Sequence, residues 1–130
     1  MRFGYAIVYV PDVVATLDFY ERAFGMTRGY VAQPPTYGEL DTGTTRLAFV
    51  SHQQAESLFP GGYRPANVAE QPPGVEIAFV TDDVDAAYAR ALGAGAIAVA
   101  APDDKPWGQR IAYVRDDNGV LVELCTSTRD

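Results

Sequence analysis

The chain has 130 residues, 48% of them apolar, and its 10 Lys and Arg against 17 Asp and Glu leave a net charge of −7. That length suits one compact domain or two small halves sharing a core, and so large an apolar fraction excludes a disordered chain. The acidic excess argues against a nucleic-acid partner, which needs clustered Lys and Arg, and no apolar run approaches the roughly 18 residues of a membrane span.

Residues 3–10 form an apolar, strand-like run that begins almost at Met1, so no signal peptide is expected. Pro11-Asp12 follows, and aspartate there caps a helix by accepting free N–H groups of its first turn. Val13, Leu17, Tyr20 and Phe24 recur on one face of a helix over about 12–24, which Gly25 ends by taking the left-handed conformation. Strands are expected at 27–32, 37–40 and 46–50, with a turn at Asp41-Thr42-Gly43. Residues 51–74 hold Pro60, Pro65, Pro72, Pro73 and Gly61-Gly62, the longest irregular stretch, of the kind that serves as a lid or linker.

The pattern then repeats. Residues 75–80 are a second apolar strand, Asp82-Asp83 a second cap, and Val84, Tyr88 and Ala91 the stripe of a helix over about 83–93, stopped by Gly93 and Gly95. Strands follow at 96–100, 109–114 and 120–125. The last two are joined at Asp116-Asp117-Asn118-Gly119, where Asn and Gly both tolerate positive φ. Asp12 and Asp83, Val13 and Val84, Leu17 and Tyr88, and Tyr20 and Ala91 all stand 71 residues apart, which indicates an internal duplication. The expected fold class is α+β: two tandem βαβββ modules, 1–50 and 75–130, joined by the connection 51–74.

Two stretches carry a family likeness. Tyr-Ala-Ile-Val-Tyr-Val-Pro-Asp at 5–12 and Phe-Tyr-Glu-Arg-Ala-Phe-Gly at 19–25 resemble the opening of vicinal oxygen chelate proteins, the glyoxalase, bleomycin resistance protein and extradiol dioxygenase superfamily. Pro-Trp-Gly-Gln-Arg at 106–110 and Val-Arg-Asp-Asp-Asn-Gly-Val-Leu-Val-Glu-Leu at 114–124 resemble its closing segment. The resemblance implies a curled mixed sheet forming a cup with helices outside, and it implies no single activity, since members include isomerases, dioxygenases and binding proteins. The family's four metal-ligand positions fall on Tyr5, Ala48, Glu76 and Glu123. Only the two glutamates are ready donors, so no tightly held cofactor is expected; the alternative is one divalent metal ion on Glu76 and Glu123.

Strand alternation puts Tyr5, Ile7 and Tyr9 on one face, as it does Glu76, Ala78 and Val80, and Leu121, Glu123 and Cys125. Aromatic faces and carboxylates both favour a cation. The ligand-binding set expected from this is Tyr5, Tyr9, Glu76, Trp107, Arg110 and Glu123. Each has a plainer reading: Glu76 as a solvated strand residue, Tyr5 and Tyr9 as wall or core, Trp107 as part of a turn, and Arg110 as the partner of an acidic neighbour. His52 reads as a surface residue rather than a base. Cys125, the sole cysteine, reads as an inert thiol; it excludes an internal disulfide and a thiolate zinc site and fits the cytoplasm.

Two functions follow. One is a binding protein resembling the bleomycin resistance branch, which sequesters a small aromatic or cationic compound. The other resembles glyoxalase I, a metal-dependent lyase or isomerase with Glu123 as its catalytic carboxylate. An extradiol dioxygenase is a weaker alternative, because its iron needs two histidines. A homodimer is expected, with no nucleic acid and no membrane as partner.

Overall fold

The computed structural model describes residues 1–128. Its elements are β1 (Tyr5–Val10), α1 (Val13–Phe24), β2 (Arg28–Val31), β3 (Tyr37–Leu40), β4 (Arg46–Ser51), α2 (His52–Glu56), β5 (Glu76–Val80), α3 (Val84–Gly93), β6 (Ile97–Asp104), β7 (Arg110–Arg115) and β8 (Leu121–Cys125). Apart from α2, this is strand–helix–strand–strand–strand twice over. The strands form two four-stranded mixed sheets, ordered β1-β4-β3-β2 and β5-β8-β7-β6, in which β1–β4 and β5–β8 are the parallel pairs. The chain divides into two compact units. The first holds Met1–Glu21 and Gly25–Pro65; the second holds Arg22–Phe24 and the chain from Ala66 onward.

In the first unit Asp12 caps α1, its carboxylate accepting the Ala15 N–H at 3.0 Å, and Gly25 closes the helix with φ of 67°. The stripe Val13, Leu17 and Tyr20 is buried, with the Tyr20 ring 4.9 Å from Phe49 of β4. The helix lies so close to the sheet that a Cβ on Gly38 would meet Leu17 Cδ1 at 2.8 Å. Glycine is required there by space, not by turning.

In the second unit Asp83 caps α3 in the same way, accepting the Ala86 N–H at 3.0 Å. Val84 and Ala91 are buried, as are Val122 and Leu124 of β8, and Phe24 lies 5.3 Å from Phe79. Gly95, with φ of 105°, makes the turn after α3, whereas Gly93 is still helical.

Three details differ from the sequence expectations. β6 runs on to Asp104 through Pro102, which an edge strand tolerates because one row of its N–H groups has no ladder partner. The 51–74 connection begins with the short helix α2, capped by Ser51. In the β7–β8 turn only Gly119 takes positive φ; Asn118 does not, and its N–H donates to the Asp116 carboxylate at 2.9 Å. Among the described residues no helix is long and apolar enough to cross a membrane.

Candidate functional site

Each sheet has one face turned to its helix and one turned away. The burial of β5 alternates, with Glu76, Ala78 and Val80 exposed and Ile77 and Phe79 half-buried; β8 buries Val122 and Leu124 and leaves Leu121 and Glu123 partly open. The face away from α3 therefore carries Glu76, Glu123 and Cys125, as the alternation predicts. Register adds Tyr113 of β7, directly opposite Glu123, which itself lies level with Ala78. Glu76 pairs with Leu121, so Glu76 and Glu123 are diagonal neighbours, within reach for long side chains.

Glu123 is the hub of this cluster. It accepts the Tyr113 hydroxyl proton at Oε1, 2.9 Å away. Burial first, and this bond second, push the Tyr113 phenol up to about 12. Cys125, two residues along the same face, is pushed up to about 11 by burial and then by hydrogen bonding to Glu123. Loss of solvent raises the Glu76 carboxyl above its ordinary range, and the Glu123 charge and a hydrogen bond to Glu123 raise it further. Beside the cluster lies a hollow of about 460 Å³ lined by Glu76, Tyr113, Leu121, Val99 and Val75, with Pro73 of the connection.

Several described cations are engaged elsewhere. Arg28 pairs with Asp18 and Glu21, Arg46 with Asp41, and Lys105 with Asp103. Among the described residues no Lys, Arg or His forms an ion pair with Glu76 or Glu123. Nor do three His, Cys, Asp or Glu side chains gather as a metal centre would require.

Arg110 takes the plainer of its two readings, as the partner of acidic neighbours. It alternates with Tyr113 along β7 and faces α3, where Nε and Nη2 each donate to the Asp85 carboxylate at 2.9 Å and Nη1 donates to Asp104 at 3.0 Å. It is a staple on the far side of the sheet from Glu123. Trp107 sits in the β6–β7 turn, beyond the Asp104–Arg110 pair and at the opposite end of the sheet from Glu76; its indole N–H donates to Gln109 Oε1 at 2.7 Å.

In the first unit Tyr5 is 57% exposed and borders a second hollow, of about 490 Å³, with Arg2, Asp41, Thr44 and Arg46. Tyr9 is not a bare wall residue. Its ring stacks 4.8 Å from Tyr63 and 5.8 Å from Phe59, both from the connection, and His52 of α2 hydrogen-bonds the Tyr63 hydroxyl. Tyr113 and Val99 escaped sequence reasoning because nothing local marks them; only the pairing of β7 with β8 and the irregular β6–β7 register bring them to the hollow.

Comparison with known proteins agrees with this architecture. The sequence model described as the Glyoxalase/Bleomycin resistance protein/Dioxygenase superfamily matches residues 2–124. The anthracycline biosynthesis protein DnrV of Streptomyces peucetius is 31% identical over 117 residues, which are 88% of this chain but 42% of DnrV, so the chain spans less than half of that relative. Among solved structures, a glyoxalase-related enzyme from Fulvimarina pelagi superposes with a TM-score of 0.80 at 19% identity, over 97% of this chain and 88% of that one. TioX from Micromonospora sp. ML1 superposes with a TM-score of 0.70 at 25% identity, over 97% of this chain and 98% of TioX.

Proposed function

Since the chain belongs to the Glyoxalase/Bleomycin resistance protein/Dioxygenase superfamily, we propose that it is a cytoplasmic binding protein for a small, flat organic cation, held without a tightly bound metal. The observation that carries this reading is the hollow beside Glu76, Glu123 and Tyr113, where two neighbouring carboxylates form no ion pair with any described Lys, Arg or His. Such a pair needs either a proton or a positive partner, and a ring packed on Tyr113, Val99 and Leu121 supplies the partner with a flat body. Tyr5 offers an exposed ring on the first unit and Trp107 one on the β6–β7 turn. A relative named for anthracycline biosynthesis supports an aromatic ligand class.

The donor set does not fit a transition metal. Of the four positions at which the family holds its ion, Ala48 has no donor and Tyr5 offers only a phenol, a poor ligand beside imidazole or carboxylate. Two carboxylates alone do not displace the water shell of zinc or nickel.

The test is calorimetric titration of the purified chain with doxorubicin, a flat cationic anthracycline, and with its uncharged aglycone. Glu123→Gln is expected to weaken the cation by about 1–3 kcal/mol, roughly five- to 150-fold, and to leave the neutral compound unchanged. Stoichiometric, tight zinc or nickel that is lost on Glu123→Gln would overturn this and favour the lyase. The same reading has the chain pair with a second copy, since Val75, Val80, Ile97 and Val99 expose apolar surface. Sedimentation at about tens of micromolar giving a monomer would remove that part.

A further inference from the structure

Arg115 of β7 lies on the same face of its sheet as the hollow of the second unit. It alternates with Tyr113, which lines the hollow, and stands level with Leu121 of β8, itself level with Glu76. The row Glu76–Leu121–Arg115 therefore begins in the hollow and ends at a residue only 9% exposed. Among the described residues no carboxylate forms an ion pair with Arg115. Its three nitrogens go to carbonyl oxygens instead. Nε donates to Gly119 at 2.9 Å, Nη2 to Asn67 at 2.9 Å and Nη1 to Val68 at 3.3 Å. A planar fork with fixed donor directions suits three such acceptors, and these bonds offset the hydration lost on burial.

Two of the acceptors belong to the connection, and little else holds it there. From Asn67 to Val75 every residue but Pro72 is exposed, so apolar burial contributes little. The Asn67 side chain accepts the Ala69 N–H at 2.9 Å and its carbonyl the Glu70 N–H at 3.0 Å, a local turn that does not reach the sheet. Among the described residues, the hydrogen bonds that tie 67–74 to the sheet are the two from Arg115. Pro72 and Pro73 fix their own φ and restrict the residues before them, which stiffens the short path from this anchor to β5. Pro73, Gly74 and Val75 on that path line the hollow.

We infer that Arg115 is a positioning residue for the hollow: by gripping Asn67 and Val68 it sets the wall at 73–75 against which the flat body of a ligand packs. That the ligand is a flat organic cation rests on the reading above; the grip of Arg115 on the wall does not.

The unmodified chain, Arg115→Met and Arg115→Lys are compared by nitrogen-15 relaxation and by titration with doxorubicin and its uncharged aglycone. Arg115→Met keeps the aliphatic stem and loses every donor. Order parameters over 67–75 are expected to fall below about 0.6 in it, while those of β7 and β8 stay near about 0.85. Both compounds are expected to bind Arg115→Met about tenfold more weakly, because a loose wall must be ordered on binding. Arg115→Lys keeps the charge but not the fork and is expected to lose about threefold. Val75→Ala, on the wall itself, is expected to cost about threefold in the unmodified chain and nothing further beside Arg115→Met. Glu123→Gln weakens doxorubicin alone, which separates the charge from the wall. If Arg115→Met binds both compounds as tightly as the unmodified chain, the inference falls and the site stands. Loss of a positive charge by itself would tighten doxorubicin and leave the aglycone unchanged, and that result also overturns the inference. Should Arg115→Met fail to fold, Arg115→Lys is read by the same criteria. If the unmodified chain binds neither compound, the ligand reading falls, and the order parameters alone decide the grip.

Discussion

Arg115 folds over Gly119: its Nε donates to the Gly119 carbonyl at 2.9 Å, and a Cβ placed on Gly119 would lie 2.8 Å from Arg115 Nη2. The same guanidinium donates to the carbonyls of Asn67 at 2.9 Å and Val68 at 3.3 Å, so the β7–β8 turn and the connection share one anchor. Gly119 also has φ of 94°, and its missing Cβ would meet backbone atoms of Asn67 and Val68 at 2.9 Å. Gly119→Ala is therefore expected to cost about 3 kcal/mol, combining left-handed strain with a clash that backbone atoms cannot relieve. Gly43, at φ of 91° with open space around it, is the control; Gly43→Ala should cost about 1 kcal/mol. Equal losses in urea unfolding would show that the clash relaxes and that Arg115 is no anchor.

Arg110 carries a second prediction. Its bidentate pair with Asp85 joins β7 to the first turn of α3, and Asp104 holds its remaining nitrogen. Exposed pairs of this kind contribute little, so Arg110→Ala is expected to lower stability only slightly. Doxorubicin affinity should stay within about twofold, because the guanidinium faces away from Glu123. A large loss of binding with stability intact would return Arg110 to the ligand.

Local chemistry explains which features were legible in the sequence. Asp12 and Asp83 mark helix starts through short-range capping, and Val13, Leu17 and Tyr20 mark a buried face through spacing alone. Glu76 and Glu123 were found because alternation within a strand fixes their side. What escaped notice depends on pairing between strands. Arg110 chose Asp85, 25 residues away, and Glu39 gains meaning only when it is seen level with Ala48. Arg115 reads as an ordinary strand residue until the connection returns to place Asn67 beside it.

Cys125 reports on the carboxylate cluster without any ligand. Burial, then the hydrogen bond and charge of Glu123, lift its thiol from an ordinary 9.0 to about 11. At pH 8 its thiolate fraction is lower by about a hundredfold, so iodoacetamide should modify it roughly that much more slowly than free cysteine. Glu123→Gln removes the second cause and should speed the reaction several-fold at pH 8. An unchanged rate would mean that burial alone governs the thiol.

Glu76 gives stability a pH dependence of known sign. Its raised value means that the folded chain binds this proton more tightly than the unfolded chain does. The resulting stabilisation is fully present below the ordinary 4.5 and is lost as the pH climbs through the raised value. At pH 7 the charged pair with Glu123 is a burden, and Glu76→Gln should raise stability by no more than about 0.5 kcal/mol, since solvent screens so exposed a carboxyl. At pH 4 the advantage should disappear. Thermal melts of both proteins across this range check it, and a gain that persists at pH 4 would point to packing instead.

Two of the family's ion positions, Tyr5 and Ala48, lie in the first unit and can be refilled. Ala48 stands level with Ile7 as Glu123 stands level with Ala78, so it is the first-unit counterpart of Glu123, and Tyr5 is the counterpart of Glu76. Tyr5→His supplies an imidazole and Ala48→Glu a carboxylate on the same first-unit sheet that carries Glu39. Ala48 is fully buried and Glu39 lies directly opposite, so Ala48→Glu alone buries a second negative charge beside the first. It should cost about 2–3 kcal/mol in unfolding experiments at pH 7. A divalent ion would relieve that repulsion, so zinc or nickel should restore stability in the double variant and bind far more tightly than to the unmodified chain. Adding Glu39→Gln to Ala48→Glu should recover part of the lost stability without metal. If the double variant gains no metal affinity while staying folded, positions 5, 39 and 48 do not gather around one ion.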